Sequence, residues 1–126
     1  MPKAKPHSRV AVLGASPKED RYSYKAMVLL KEYGHQPIPV HPSGHVVEGQ
    51  VSLKSLDEIK EPVDTLTMYV GPEISKGELD RILKLKPRRV IFNPGAENYE
   101  LSEKLQAAGI EVVQACTLVM LRTGLF

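Results

Sequence analysis

The chain has 126 residues, 42% hydrophobic and 25% charged, which suits one globular domain with a single core and leaves no room for a second catalytic domain. A formal charge of +2 at pH 7 excludes a dedicated nucleic-acid groove or membrane-surface patch, and the locally basic Lys84, Lys86, Arg88 and Arg89 read as a solvated helix end. The single Cys116 excludes an internal disulfide framework, and the absence of a signal-peptide or membrane-spanning pattern makes the cytoplasm the expected compartment.

Residues 1–8, with Pro2 and Pro6 and no periodicity, read as a flexible leader, so the domain is expected over 9–126. The first predicted strand, 9–13, is apolar and runs into Gly14-Ala15-Ser16-Pro17. A helix follows over 22–33, with Ala26, Met27, Leu29, Leu30 and Tyr33 on one face and Gly34 as its stop. Strand 36–40, Gln-Pro-Ile-Pro-Val, carries prolines two residues apart. Both missing N–H groups then point to one side, so this strand pairs fully only with the first.

A Gly-bearing loop is predicted over 41–52, a strand over 64–70, a helix over 74–85 and a strand over 88–92. Asn98 caps a helix over 98–108 whose Leu101, Leu105 and Ala108 face the core, and Gly109 ends it. A strand at 110–113 and a short helix from Ala115-Cys116-Thr117 through Leu118–Arg122 close the chain. Strands alternating with helices predict an α/β fold, a five-stranded parallel sheet between two helical layers, in the doubly wound order 3-2-1-4-5. Ligands of such sheets lie outside the carboxyl ends of the strands, near the switch between strands one and four. The candidate site therefore comprises the loops at 14–23, 41–44, 70–73 and 93–98.

A strand ending in Gly-x-Ser before a helix offers backbone N–H groups and a positive dipole end to an anion. The N–H groups of Ala15 and Ser16, the Ser16 hydroxyl and the cations Lys18, Arg21 and Lys25 would meet the phosphates of a nucleotide-type ligand. The alternative readings make Ser16-Pro17 a turn, Ser23 a helix cap and Lys25 a solvated side chain. Asn93-Pro94-Gly95 reads equally as a turn or as a close approach to ligand permitted by Gly95. A dinucleotide fingerprint is missing, because Gly14 stands alone and strand two ends in Val40-His41-Pro42 instead of an acid. A Walker loop is missing too.

His7, His35 and His45 read as surface residues, and no metal-ligand spacing occurs, so no metal site is expected. Cys116 follows strand five on the side of the proposed site. It reads either as a small buried apolar residue or as a thiol activated at a helix start. A thiol–base pair with His41 depends on a separation that spacing does not define. Leu118, Val119, Leu121, Leu125 and Phe126 read as core or as a surface for a homo-oligomer or another protein partner.

The motifs Gly14-Ala15-Ser16 with Arg21 and Ser23, Pro39-Val40-His41-Pro42, Ser55-Leu56 before Val63-Asp64, Phe92-Asn93-Pro94-Gly95-Ala96-Glu97-Asn98, and Ala108-Gly109-Ile110 before Cys116 resemble those of the small stand-alone CoA-binding domain proteins. These are similar to the N-terminal CoA-binding domain of the succinyl-CoA synthetase alpha subunit. His41 stands where family members often carry Asn, and Phe92-Asn93 where they carry a Trp-x-Gln pattern. The resemblance implies a Rossmann-like domain binding CoA or acyl-CoA, its pyrophosphate over the first loop and its nucleotide end across the second and third. The implied contacts are Gly14, Ala15, Ser16, Arg21, Ser23 and Lys25, then His41 and Pro42, Val70 and Gly71, and Asn93, Pro94 and Gly95. Cys116 would be a partner for the CoA thiol. The synthetases carry their phosphohistidine in a further domain, so the expectation is a carrier or regulatory module without its own catalysis. The alternatives are an NAD(P)-dependent redox protein with a degenerate loop, or an interaction module without a ligand.

Overall fold

β1 (Arg9–Leu13) is buried on both faces, as a parallel strand between two helical layers must be. Its Val10 and Val12 pack with Met27 and Leu30 of α1 (Tyr22–Glu32) and with Met120 and Leu121 of α5 (Thr117–Arg122). Its Ala11 and Leu13 enter a second cluster with Ile82 of α3 (Leu79–Leu85) and Leu101 and Leu105 of α4 (Tyr99–Ala107). This side-to-side alternation produces the three layers. The computed structural model describes residues 3–126; Met1 and Pro2 of the expected leader lie outside the described residues. Within that leader, the Ala4 N–H donates to the Phe126 carbonyl (2.7 Å).

The remaining sheet strands are β2 (Gln36–Val40), β5 (Thr65–Met68), β6 (Arg89–Phe92) and β7 (Glu111–Gln114). Their order is β2-β1-β5-β6-β7, parallel throughout. Counting the place outside β2 as the third, this is the Rossmann-like 3-2-1-4-5 pattern around a switch at β1, with β7 added as a sixth place. β5 holds the fourth place, and the third, outside β2, is reduced to a single parallel bridge between Val40 and Leu53. The prolines of β2 explain that edge. Pro37 and Pro39 lie opposite Val10 and Val12, and outward they present only carbonyls, which accept from Gln50 Nε2 (3.1 Å) and Leu53 N–H (3.0 Å).

Two predicted segments differ. The loop over 41–52 contains a hairpin, β3 (Val46–Val47) and β4 (Gln50–Val51). Its turn residues Glu48 (φ 50°) and Gly49 (φ 77°) both take positive φ, as a tight two-residue hairpin turn demands. α1 clamps that turn: Tyr24 Oη donates to Glu48 Oε2 (2.9 Å) and Lys31 Nζ to the Glu48 carbonyl (3.0 Å). The helix predicted over 74–85 is split into α2 (Pro72–Ser75) and α3. Around Gly77 the bonds tighten to three-residue spacing, Gly77 N–H to Ile74 O (3.2 Å) and Glu78 N–H to Ser75 O (2.9 Å).

Of the apolar residues near the carboxyl end, Leu118, Leu121 and Phe126 are buried in the core, while Val119 and Leu125 are exposed.

Candidate functional site

Gly14 ends β1 with φ +92°, and a Cβ there would lie 2.9 Å from the Tyr69 carbonyl oxygen and 2.9 Å from Val70 Cγ1. Only glycine lets the end of β1 pass this close to the end of β5. The Val40 carbonyl accepts from both Gly14 N–H (2.9 Å) and Ala15 N–H (3.3 Å). The Ala15 amide, expected to meet phosphate, is therefore engaged by β2, and its buried side chain belongs to the core. Ser16 Oγ accepts from Lys18 N–H (3.1 Å), which leaves its own proton to donate outward.

The cap of α1 is Arg21, whose side chain makes no capping bond. Ser23, read as a ligand contact or alternatively as a cap, is the second helical residue and is buried. The first-turn amides of α1 thus lack the side-chain acceptor that usually satisfies them. They open onto a cleft of about 510 Å³ lined by Gly14, Ser16, Lys18, Arg21, Ser23, His41, His45 and Tyr69. Lys25 is not in this lining; its ammonium sits 5.3 Å from the centre of the exposed Tyr22 ring.

The histidines are paired by the Pro-Ser-Gly turn between them. Their rings stack at 4.4 Å and 28°. His41 Nδ1 accepts from Ser43 N–H (3.1 Å), so it carries no proton, and burial together with the neighbouring His45 pushes the His41 pKa below its ordinary value. Neutral His41 therefore keeps its proton on Nε2. His45 Nε2 lies 2.8 Å from the Ala15 carbonyl, which only accepts, so that nitrogen is the protonated one; its Nδ1 takes the Ser43 hydroxyl (2.7 Å). His45, read from sequence as a surface residue, is part of the site wall. His35 is likewise not a free surface residue, since its ring packs at 5.1 Å on Phe126.

Tyr69 is the hub that the sequence did not single out. It lines the cleft at α1, a second of about 650 Å³ shared with His41, Pro42, Lys54, Val70, Gly71 and Arg81, and a third of about 330 Å³ shared with Tyr22, Asn93, Pro94, Cys116, Leu118, Val119 and Arg122. Burial pushes its phenol up to about 12, so it stays a neutral wall at any physiological pH. Its position directly after β5 was the available signal.

Asn93 is only 2% exposed and turns inward. Its Nδ2 donates to Thr67 Oγ1 (2.7 Å) and the Met68 carbonyl (2.9 Å), and its Oδ1 accepts from Thr117 N–H (2.9 Å). With both donors used, Asn93 braces β5, β6 and the start of α5 and has no side-chain N–H left to offer outward, while its neighbours Pro94 and Gly95 face solvent. Both of these are exposed, and Gly95 (φ +91°) has open space where a Cβ would lie. Cys116 precedes α5, half-buried, in the third cleft. His41 lines the first and second clefts and Cys116 the third, so they do not share one.

A further groove of about 550 Å³ follows the outer edge of β2, with Arg9, Lys31, Glu58, Lys60 and Glu61 along it. Its mixed charge and the absence of a helix N-terminus make it a poorer anion site than the switch-point trough. Among the described residues no group of three or more His, Cys, Asp and Glu could hold a metal ion, and no helix is long and apolar enough to cross a membrane.

Residues 8–122 match the family model of the CoA binding domain. The chain belongs to that family. It is similar to the uncharacterized protein YneT of Bacillus subtilis, 28% identical over 105 residues that cover 83% of this chain and 78% of the relative. A crystal structure of an uncharacterized protein is 46% identical, covers 97% of this chain and 100% of its own, and superposes with a TM-score of 0.91. The dinucleotide-forming acetyl-coenzyme A synthetase 1 of Ca. Korarchaeum cryptofilum, in complex with phosphate and ADP, is 20% identical; 87% of this chain matches 26% of that one with a TM-score of 0.73. At that identity the likeness shows a shared fold alone, and it places the fold of this CoA-binding family member inside a larger synthetase.

Proposed function

We propose that this chain binds CoA or an acyl-CoA in the trough around Tyr69 and serves as a carrier or regulatory module without its own catalysis. The observation that carries the reading is the uncapped first turn of α1, which opens onto a cleft with Ser16, Lys18 and Arg21 at its wall. An anion there completes backbone donors that no side chain satisfies. The residues fit CoA chemically. The pyrophosphate takes the α1 amides, the Ser16 hydroxyl and the two cations, and the nucleotide end crosses the second cleft between His41-Pro42 and Val70-Gly71. Cleft volumes of about 510 and 650 Å³ lie within the roughly 300–1,000 Å³ of ordinary ligand sites.

A dinucleotide redox reading is less well supported. It needs a carboxylate at the end of β2 for the ribose, and that place holds the neutral, buried-edge His41.

The test is thermal unfolding with CoA, acetyl-CoA, NAD and ATP added separately. A ligand at about 100 times its dissociation constant adds roughly 2.7 kcal/mol. Stabilisation by CoA or acetyl-CoA, with NAD inert, is expected; stabilisation by NAD, or by none of the four, overturns the reading.

The same reading assigns Cys116 as a partner for the CoA thiol. Its thiolate attacks one sulfur of oxidised CoA, a protein–CoA disulfide forms, and the second CoA leaves as its thiolate. Intact mass should rise by one CoA; an unchanged mass with Cys116 accessible to a small alkylating agent would count against this role.

A further inference from the structure

We infer that the ligand is an acyl-CoA with an apolar acyl chain, and that the chain lies in the cleft between the start of α1 and α5; this rests on the CoA-binding reading above. The cleft holds about 330 Å³ and is walled by Tyr22, Tyr69, Pro94, Leu118 and Val119, with Arg122 its one charged lining residue. Tyr22 is 66% exposed and Val119 54% exposed. An aromatic ring and a branched side chain thus face water across one concave surface. Neither gains anything by this arrangement until something apolar covers both.

Position selects the occupant. Tyr22 and Tyr69 line both this cleft and the cleft at the α1 N-terminus, so the two spaces adjoin across these two rings. A ligand anchored there by its phosphates reaches the apolar cleft with its other end. No carboxylate or amide side chain in the lining is left to recognise a polar head: Asn93 has both its N–H donors occupied. The pantetheine arm is itself rich in amides; its thiol has a counterpart here in Cys116, and the apolar remainder of the wall is left for whatever that thiol carries. A hydrocarbon chain on that thiol gains about fourfold in affinity per methylene buried. The half-open cleft covers only part of each methylene, so hexanoyl-CoA should bind roughly tenfold tighter than acetyl-CoA.

Calorimetric titration of the full chain with CoA, acetyl-CoA and hexanoyl-CoA tests this. Val119→Asp places a carboxylate in the exposed wall with little threat to folding, and Val51→Asp, at a position 70% exposed on the hairpin, is the control. The expected result is tighter binding of hexanoyl-CoA, with the advantage abolished by Val119→Asp, CoA binding retained in that variant, and Val51→Asp behaving as the unaltered protein. Equal affinities for CoA and hexanoyl-CoA overturn the acyl site while leaving CoA binding standing; loss of all CoA binding by the unaltered protein overturns the underlying reading instead. A chain-length preference that survives Val119→Asp removes the acyl chain from this cleft. Self-association that Val119→Asp dissolves, without any chain-length preference, assigns the face to a second copy and overturns the inference.

Discussion

Gly14→Ala is the sharpest perturbation of the site. Two penalties apply. The residue holds φ +92°, a region that costs an L side chain roughly 1–2 kcal/mol. The new Cβ would also lie 2.9 Å from the Tyr69 carbonyl oxygen and 2.9 Å from Val70 Cγ1. The valine methyl can rotate away, but the carbonyl cannot, because the Tyr69 N–H is bonded to Leu13 O at 2.9 Å and holds that backbone against β1. Relieving the clash means prising β5 from β1 at the switch point, an overpacking cost of about 1–3 kcal/mol. Together the loss is about 3 kcal/mol, or roughly 10 °C in melting temperature for a domain of this size. Gly95→Ala separates the two penalties, since Gly95 has φ +91° but nothing within 4 Å of its Cβ position; it should lose only the conformational part. Calorimetric unfolding of both variants without ligand is the assay. Equal losses in Gly14→Ala and Gly95→Ala would show that the Tyr69 contact contributes nothing, and a Gly14→Ala protein that keeps its full CoA-induced shift would refute the role of this turn in shaping the site.

Asn93→Ala orphans the Met68 carbonyl and the Thr117 N–H and should cost about 3 kcal/mol in denaturant unfolding; a loss below about 1 kcal/mol would mean that these groups find other partners. Burial alone would raise the Asp64 carboxyl, but its hydrogen bonds to Arg88 and the Thr65 hydroxyl, with the charges of Arg88 and Arg89, hold it below its ordinary value. A depressed carboxyl contributes stability above its unfolded value of about 3.9 and loses it as the pH falls through the folded value, so Asp64→Asn should be less stable at neutral pH and should lack that part of the acid limb; a difference from the unaltered protein that is the same at pH 3 and pH 7 would contradict this. The lowered His41 works in the other window: the unfolded chain binds a proton more readily, so stability should rise with pH from the folded value up to about 6.5, and His41→Asn should flatten that rise, leaving only the share due to His35, which burial also lowers. Lys18→Ala and Arg21→Ala should each weaken CoA binding up to about fivefold and reduce its salt dependence. Lys25→Ala should leave CoA binding unchanged, because Lys25 stands outside the cleft over Tyr22; titration calorimetry at two ionic strengths distinguishes the three.

Much of the site's frame was readable because its determinants are local. Strand 36–40 is delimited by Gly34 before it and by prolines that dictate which edge pairs, and β2 has those bounds. Asn98 caps α4 through Oδ1 and the Leu101 N–H (3.0 Å) as its spacing predicts. The β3–β4 hairpin escaped notice because each strand is only two residues long, too short to show a period. The break at Gly77 was not legible because a lone glycine is tolerated inside a helical pattern and Leu79, Ile82 and Leu83 keep helical spacing after it.

The sequence by itself determined the alternation of strands and helices, the glycine turn after β1 and the loops that gather at one edge, since these follow from periodicity, φ preference and missing N–H donors within a few residues. Only the tertiary structure decided what each loop residue spends its groups on. Ala15 gives its N–H to Val40, Asn93 turns into the core to hold Thr67, Met68 and Thr117, His45 folds back onto His41, and Tyr69 becomes the wall common to all three clefts. Each of those outcomes depends on which strand ends are brought side by side, and strand order and register are set by burial of the whole sheet rather than by any one segment.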